Sequence, residues 1–214
     1  MNPTHHVVDL ERLRAIAEEG RRAPLLGGRY LAWWGGLLAV AYLLHYSFLT
    51  GLLPGGAGAL GWLWLAFATC GLAGQQVLAR GEAADRPGRG TVGNRVEWSS
   101  WQFAGAVLAV YFLALAGHSV LNGSVNPQFQ TSVPLVFAVY AVALGTTGVL
   151  GRSRLLVRAG GAAIASVALA AWYAFSPALW LIAAGASLLT ALLPGLLLPA
   201  FFRGLLRGLR GTGT

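Results

Sequence analysis

The charged residues of this chain are segregated, and that segregation limits the fold more than any other feature. Residues 30–79, 98–151 and 159–202 form blocks of 50, 54 and 44 residues without one Asp, Glu, Lys or Arg. The 15 basic and 7 acidic residues therefore all fall in the remaining 66 positions of the 214-residue chain. A helix that crosses a membrane takes ~20 apolar residues. Each block is too long for one such helix and fits two joined by a tight turn. The pattern predicts an all-α integral membrane protein with six transmembrane helices arranged as three hairpins. Charged residues make up 10% and hydrophobic residues 56%, whereas soluble domains carry about 25% charged residues. So little charge cannot cover a soluble surface. A soluble enzyme, a nucleic-acid-binding module and a disordered chain are excluded as readings of the whole.

The expected spans are 30–53, 59–79, 101–121, 133–150, 156–175 and 178–202. The connections alternate in character. Those at 54–58, at 122–132 and at the Ser176-Pro177 corner carry no charge, and those at 80–97, 151–158 and 203–214 carry arginines. Arginine is retained on the cytoplasmic side of inner membranes, so both termini are expected in the cytoplasm. All 15 basic residues are arginine, and Ala, Gly and Leu are abundant. This usage fits a GC-rich, bacterial source and a bacterial inner membrane. The net charge of +8 follows from orientation and from contact with anionic lipid headgroups, and it needs no nucleic acid.

Three regions are expected: a cytoplasmic arm at 1–29, a six-helix bundle at 30–202 and a basic tail at 203–214. Within the arm, residues 9–19 read as a short amphipathic helix with Leu10, Leu13 and Ala17 on one face. Such a helix can lie on the membrane or dock a protein partner. No short apolar stretch with a small-residue cleavage site follows Met1, so no removable signal peptide is expected. Cys70 is the only cysteine, which rules out an intrachain disulfide.

Aromatic residues crowd the expected ends of the spans: Tyr30, Trp33, Trp34, Trp98 and Trp101 on one side, Trp62, Trp64, Trp172 and Trp180 on the other. Amphipathic rings favour the headgroup level, so most of the eight tryptophans are expected to be anchors. In lipid, helices associate through small residues. Ala162, Ser166, Ala170 and Ala174 form one such stripe, and Ala183, Ser187, Ala191 and Gly195 another. The fifth and sixth helices should therefore pack closely. Gly145, Gly148 and Gly151 mark the fourth, and Pro194 and Pro199 should kink or end the sixth.

An ionisable side chain inside a membrane is costly and is a functional candidate by default. The three blocks hold no Asp, Glu, Lys or Arg, and two histidines, His45 and His118, remain. At 1.5 Å per residue both come at similar depth, in the outer half of the bilayer. Each follows an alanine by four positions, Ala41 and Ala114. This Ala-x-x-x-His pattern resembles the bacteriochlorophyll-binding helices of light-harvesting polypeptides, and the resemblance implies that His45 and His118 hold a tetrapyrrole. Two facing histidines can also hold a haem iron. The alternatives are interfacial or hydrogen-bonded structural histidines, and an ion or proton role, since histidine titrates near neutral pH. The His118-x-x-x-Asn122 pair resembles one helix of the rhomboid proteases. Their Gly-x-Ser-Gly serine and later histidine are missing, which removes serine protease chemistry.

Three functions are compatible with these residues. The first is a non-catalytic accessory, assembly or regulatory subunit that works by helix packing, by self-association or through a cytoplasmic partner. The second is a tetrapyrrole-binding protein. The third is a channel or carrier for a small neutral or anionic solute, lined by Gln75, Gln76, Tyr111, Thr146 and Thr147. No metal site is expected, because the blocks contain no cluster of ligating side chains.

Overall fold

The computed structural model describes residues 27–80 and 92–198. The expected arm helix at 9–19, most of the 80–97 connection and the basic tail lie outside the described residues. The described chain forms helices α1 (Gly28–Leu49), α2 (Leu60–Arg80), α3 (Val92–Asn122), α4 (Ser132–Leu150), α5 (Arg154–Trp172), α6 (Ala178–Ser187) and α7 (Leu193–Leu197). A wide π-turn over Leu188–Leu192 joins α6 to α7, so these three pieces form one span. There is no strand among the described residues. Six spans of 19 to 29 residues are long and apolar enough to cross a membrane. The chain is a multi-pass membrane protein by that measure. Helix is the form such segments must take, because lipid offers the backbone no hydrogen-bond partner.

The element boundaries depart from expectation at two places. First, α3 begins at Val92, nine residues before the expected Trp101. The charge-free rule marks the hydrocarbon layer, and this helix runs beyond it. Its early turns carry Glu97, the only carboxylate among the described residues. Glu97 is buried and accepts the Gly27 N–H at 3.2 Å. A carboxylate there complements the positive end of α1. Second, the last span is interrupted. Pro194 has no N–H to donate and its ring crowds the carbonyl four residues back, and the wide π-turn lies immediately before it. The helix ends at Leu198, whose ψ of 132° is extended. The next residue is Pro199, which disfavours helical backbone in its predecessor.

Two helix pairs form the centre. In the first, α1 lies along α6, the π-turn and α7. A Cβ at Gly35 would come 2.5 Å from Leu192 N, and one at Gly195 would come 2.7 Å from Gly28 O. Glycine at these positions lets the two backbones touch. In the second, α4 lies along α5, where a Cβ at Gly148 would come 2.6 Å from Val157 N and one at Gly160 would come 3.1 Å from Gly145 N. Phe137, Leu144, Leu156 and Leu179 fill the space between the pairs and are fully buried. The expected stripe on the sixth span is real, with Ala183, Ser187 and Ala191 buried. Its lower half faces α1, however: Ala191 meets Gly35 and Gly195 meets Ala32. The α5–α6 contact is the looser one.

The remaining helices are peripheral. α2 packs against α1 and α3 against α4, and these two consecutive helices do not pack along each other. Trp33 and Trp34 serve the first of these contacts. Trp33 lies in the notch of Gly74 and Trp34 in that of Gly71. Their indole N–H groups donate to Gly71 O at 3.2 Å and to Gln75 Oε1 at 3.0 Å. They pack α1 against α2, a role that their expected place at the headgroup level did not include. Trp62, Trp98 and Trp172 are exposed, as anchors are.

Candidate functional site

His45 and His118 have different surroundings. His45 lies on the inner face of α1 and is 7% exposed. Tyr42, one turn earlier on the same face, is buried beside it. The imidazole stacks on Trp180 of α6, with ring centroids 3.5 Å apart and planes 16° apart. Trp64 of α2 closes the edge at 5.8 Å in a T-shaped contact, and its indole N–H donates to His45 Nδ1 at 3.0 Å. Tyr42 contacts both indoles, at 5.6 Å from Trp64 and 5.8 Å from Trp180. The four rings tie three helices together at one level.

This geometry assigns the tautomer. An indole can only donate, so Nδ1 must be the unprotonated nitrogen of a neutral ring, and Nε2 carries the hydrogen. A metal ion bound through Nε2 would have to displace that hydrogen. A second stacked ring on Trp180's side has no room. Ala41, one turn back, is 3% exposed, so the space that a small residue leaves is already filled by neighbours.

His118 is exposed on α3. Its carbonyl accepts from Asn122 Nδ2 at 2.8 Å. No hydrogen bond or ring contact joins it to His45 among the described residues, and α1 and α3 do not pack along each other. The bundle therefore gives His45 to aromatic packing and leaves His118 on the outside. The two are not brought together as the facing pair that a haem iron needs.

The polar side chains expected to line a solute path are also scattered. Gln75 holds Trp34, and Gln76 is exposed on α2. The Tyr111 hydroxyl reaches toward Gln128 O at 3.5 Å on α3's far end. The Thr146 hydroxyl donates to Val142 O at 2.7 Å, while Thr147 is buried with no partner for its Oγ1. Other hydroxyls bond back to the carbonyl four residues earlier: Ser166 to Ala162, Ser187 to Ala183 and Thr190 to Ala186. Such bonds satisfy a polar group inside its own helix. No group of three or more metal-ligating side chains occurs among the described residues.

Sequence reasoning found His45 and missed its partners. Tyr42 was accessible, because residues three apart share a helix face. Trp64 and Trp180 come from helices 19 and 135 positions away, and no local pattern links them to His45. Comparison with protein-family models, with curated proteins and with solved structures finds no match.

Proposed function

We propose that the chain is a non-catalytic subunit of a bacterial inner membrane, built as three hairpins with both termini in the cytoplasm, that works by packing α2 and α3 against another membrane protein. One observation carries this reading. In α2 and α3 only 6% and 11% of the apolar window is buried inside the bundle, against 33% to 56% in the other four spans. The exposed sides of these two helices are rich in small residues: Ala66, Thr69, Cys70 and Ala73 on α2, and Gly105, Ala109, Ala116 and Gly117 on α3. Nothing lies within 4 Å of a Cβ placed at Gly105 or Gly117. Ala66/Cys70, Thr69/Ala73 and Gly105/Ala109 are pairs at the four-residue spacing that lets helices approach closely in lipid. The engagement of His45 and of most intrahelical hydroxyls in local contacts supports a structural rather than a chemical role.

The test is association in a native-like bilayer. Full-length protein extracted with a lipid-preserving polymer is expected to carry a second polypeptide, either another copy or a different protein. Gly105→Leu and Ala109→Leu should each release it. Wild-type particles that hold one copy and nothing else would overturn the proposal.

A further inference from the structure

The end of α4 and the start of α5 border a shallow, open depression of about 320 Å³. It is walled by Gly148, Val149, Val157 and three arginines, Arg152, Arg154 and Arg158. Arg154 and Arg158 are four residues apart and share a helix face, an arrangement in which like charges destabilise each other. Arg152 has a φ of 51°, in the left-handed region, at the corner between the helices. None of the three has a carboxylate partner among the described residues, where the single carboxylate, Glu97, is engaged with Gly27. Three guanidinium groups lining one depression, without a carboxylate partner among the described residues, suit an anion with several acceptor oxygens, and Arg matches phosphate geometry well.

The walls point to the source of that phosphate. Val149 and Val157 face the depression, and both are exposed. Seven residues further into the bundle on each helix come Val142 and Ile164, at 67% and 65% exposure. Seven residues are about two turns, or ~10 Å. Two apolar stripes thus lead away from the arginines along the α4–α5 surface, and a free phosphate would not use them. An acyl chain would.

We infer that this depression is a binding site for an anionic phospholipid, with the phosphodiester on Arg152, Arg154 and Arg158 and an acyl chain along the Val142/Val149 and Val157/Ile164 stripes. The inference rests on the membrane-spanning architecture and is independent of the proposed α2–α3 contact. Native mass spectrometry of the full-length protein, released from bilayers of equimolar phosphatidylglycerol and phosphatidylcholine, reads it directly. Wild type should retain phosphatidylglycerol in preference to phosphatidylcholine. Each of Arg152→Gln, Arg154→Gln and Arg158→Gln should weaken retention about fivefold, and the triple variant on the order of a hundredfold. Arg80→Gln, on the exposed end of α2, should leave it unchanged. If the triple variant does not fold, the three single variants give the answer alone. Retention that is unaffected by all three single variants, or that shows no preference for phosphatidylglycerol, overturns the inference. Displacement of the lipid by inorganic phosphate would also overturn it, by assigning the arginines to a free anion.

Discussion

The last span and α3 have the same mean hydropathy, 1.9, yet 56% of one is buried in the bundle and only 11% of the other. Both carry glycine. In the last span and its neighbours several glycines are used up by contact, Gly35 against Leu192, Gly195 against Gly28 and Gly148 against Val157, while Gly185 stays open. In α3, Gly105 and Gly117 face open space. Hydropathy therefore does not separate the centre from the rim. In lipid there is no hydrophobic driving force between helices, so a helix needs apolar character to enter the membrane and shape complementarity to join the core. The centre has that complementarity within one chain. α2 and α3 have the ingredients for it and no partner for their outer sides among the described residues.

Substitutions can break this contrast. The largest effect is expected at the centre, where Trp180→Ala removes the ring stacked on His45 and touching Tyr42. Large-to-small core changes of this kind cost about 3–5 kcal/mol, measurable as the shift in unfolding with denaturing detergent in mixed micelles. A cost below about 1 kcal/mol would mean that the aromatic cluster does not hold the three helices together. Gly35→Leu forces α1 away from the π-turn and should cost about 1–3 kcal/mol by overpacking in the same assay. Trp64→Phe keeps an aromatic ring, though a smaller one, and deletes the bond to His45 Nδ1, for an expected loss of about 1 kcal/mol. The smallest effect is expected on the rim. His118→Ala and Gly105→Leu should change the stability of the isolated chain by less than about 0.5 kcal/mol. A rim substitution as damaging as Gly35→Leu would erase the distinction between the two regions.

The same contrast explains what could be read from the sequence. The number of spans and their approximate positions were legible, because the absence of charge across 30–79, 98–151 and 159–202 is a direct consequence of the cost of placing charge in hydrocarbon. The long start of α3 was not, since Glu97 is kept by its contact with Gly27 and not by hydropathy. The packing roles of the tryptophans were not legible. Trp33 and Trp34 look like anchors by position, and only the glycine notches at Gly71 and Gly74 on another helix reveal them as packing residues. His45 stood out because it is one of two histidines in blocks without Asp, Glu, Lys or Arg. Its engagement by Trp64 and Trp180 depends on which helices are neighbours, a property that residue spacing along one helix does not encode. His118 has the same local pattern and lies on the outside, which shows how little the Ala-x-x-x-His spacing decides by itself.

The most direct test of the central claim compares outer surfaces in the intact membrane. A photoreactive amino acid placed at Ala109 on α3, Ala73 on α2 or Ala165 on α5 probes three exposed positions on three helices. Protein adducts of discrete mass are expected from Ala109 and Ala73, and lipid adducts alone from Ala165. Lipid adducts alone from all three positions would contradict the account, because α2 and α3 would then be ordinary lipid-facing helices.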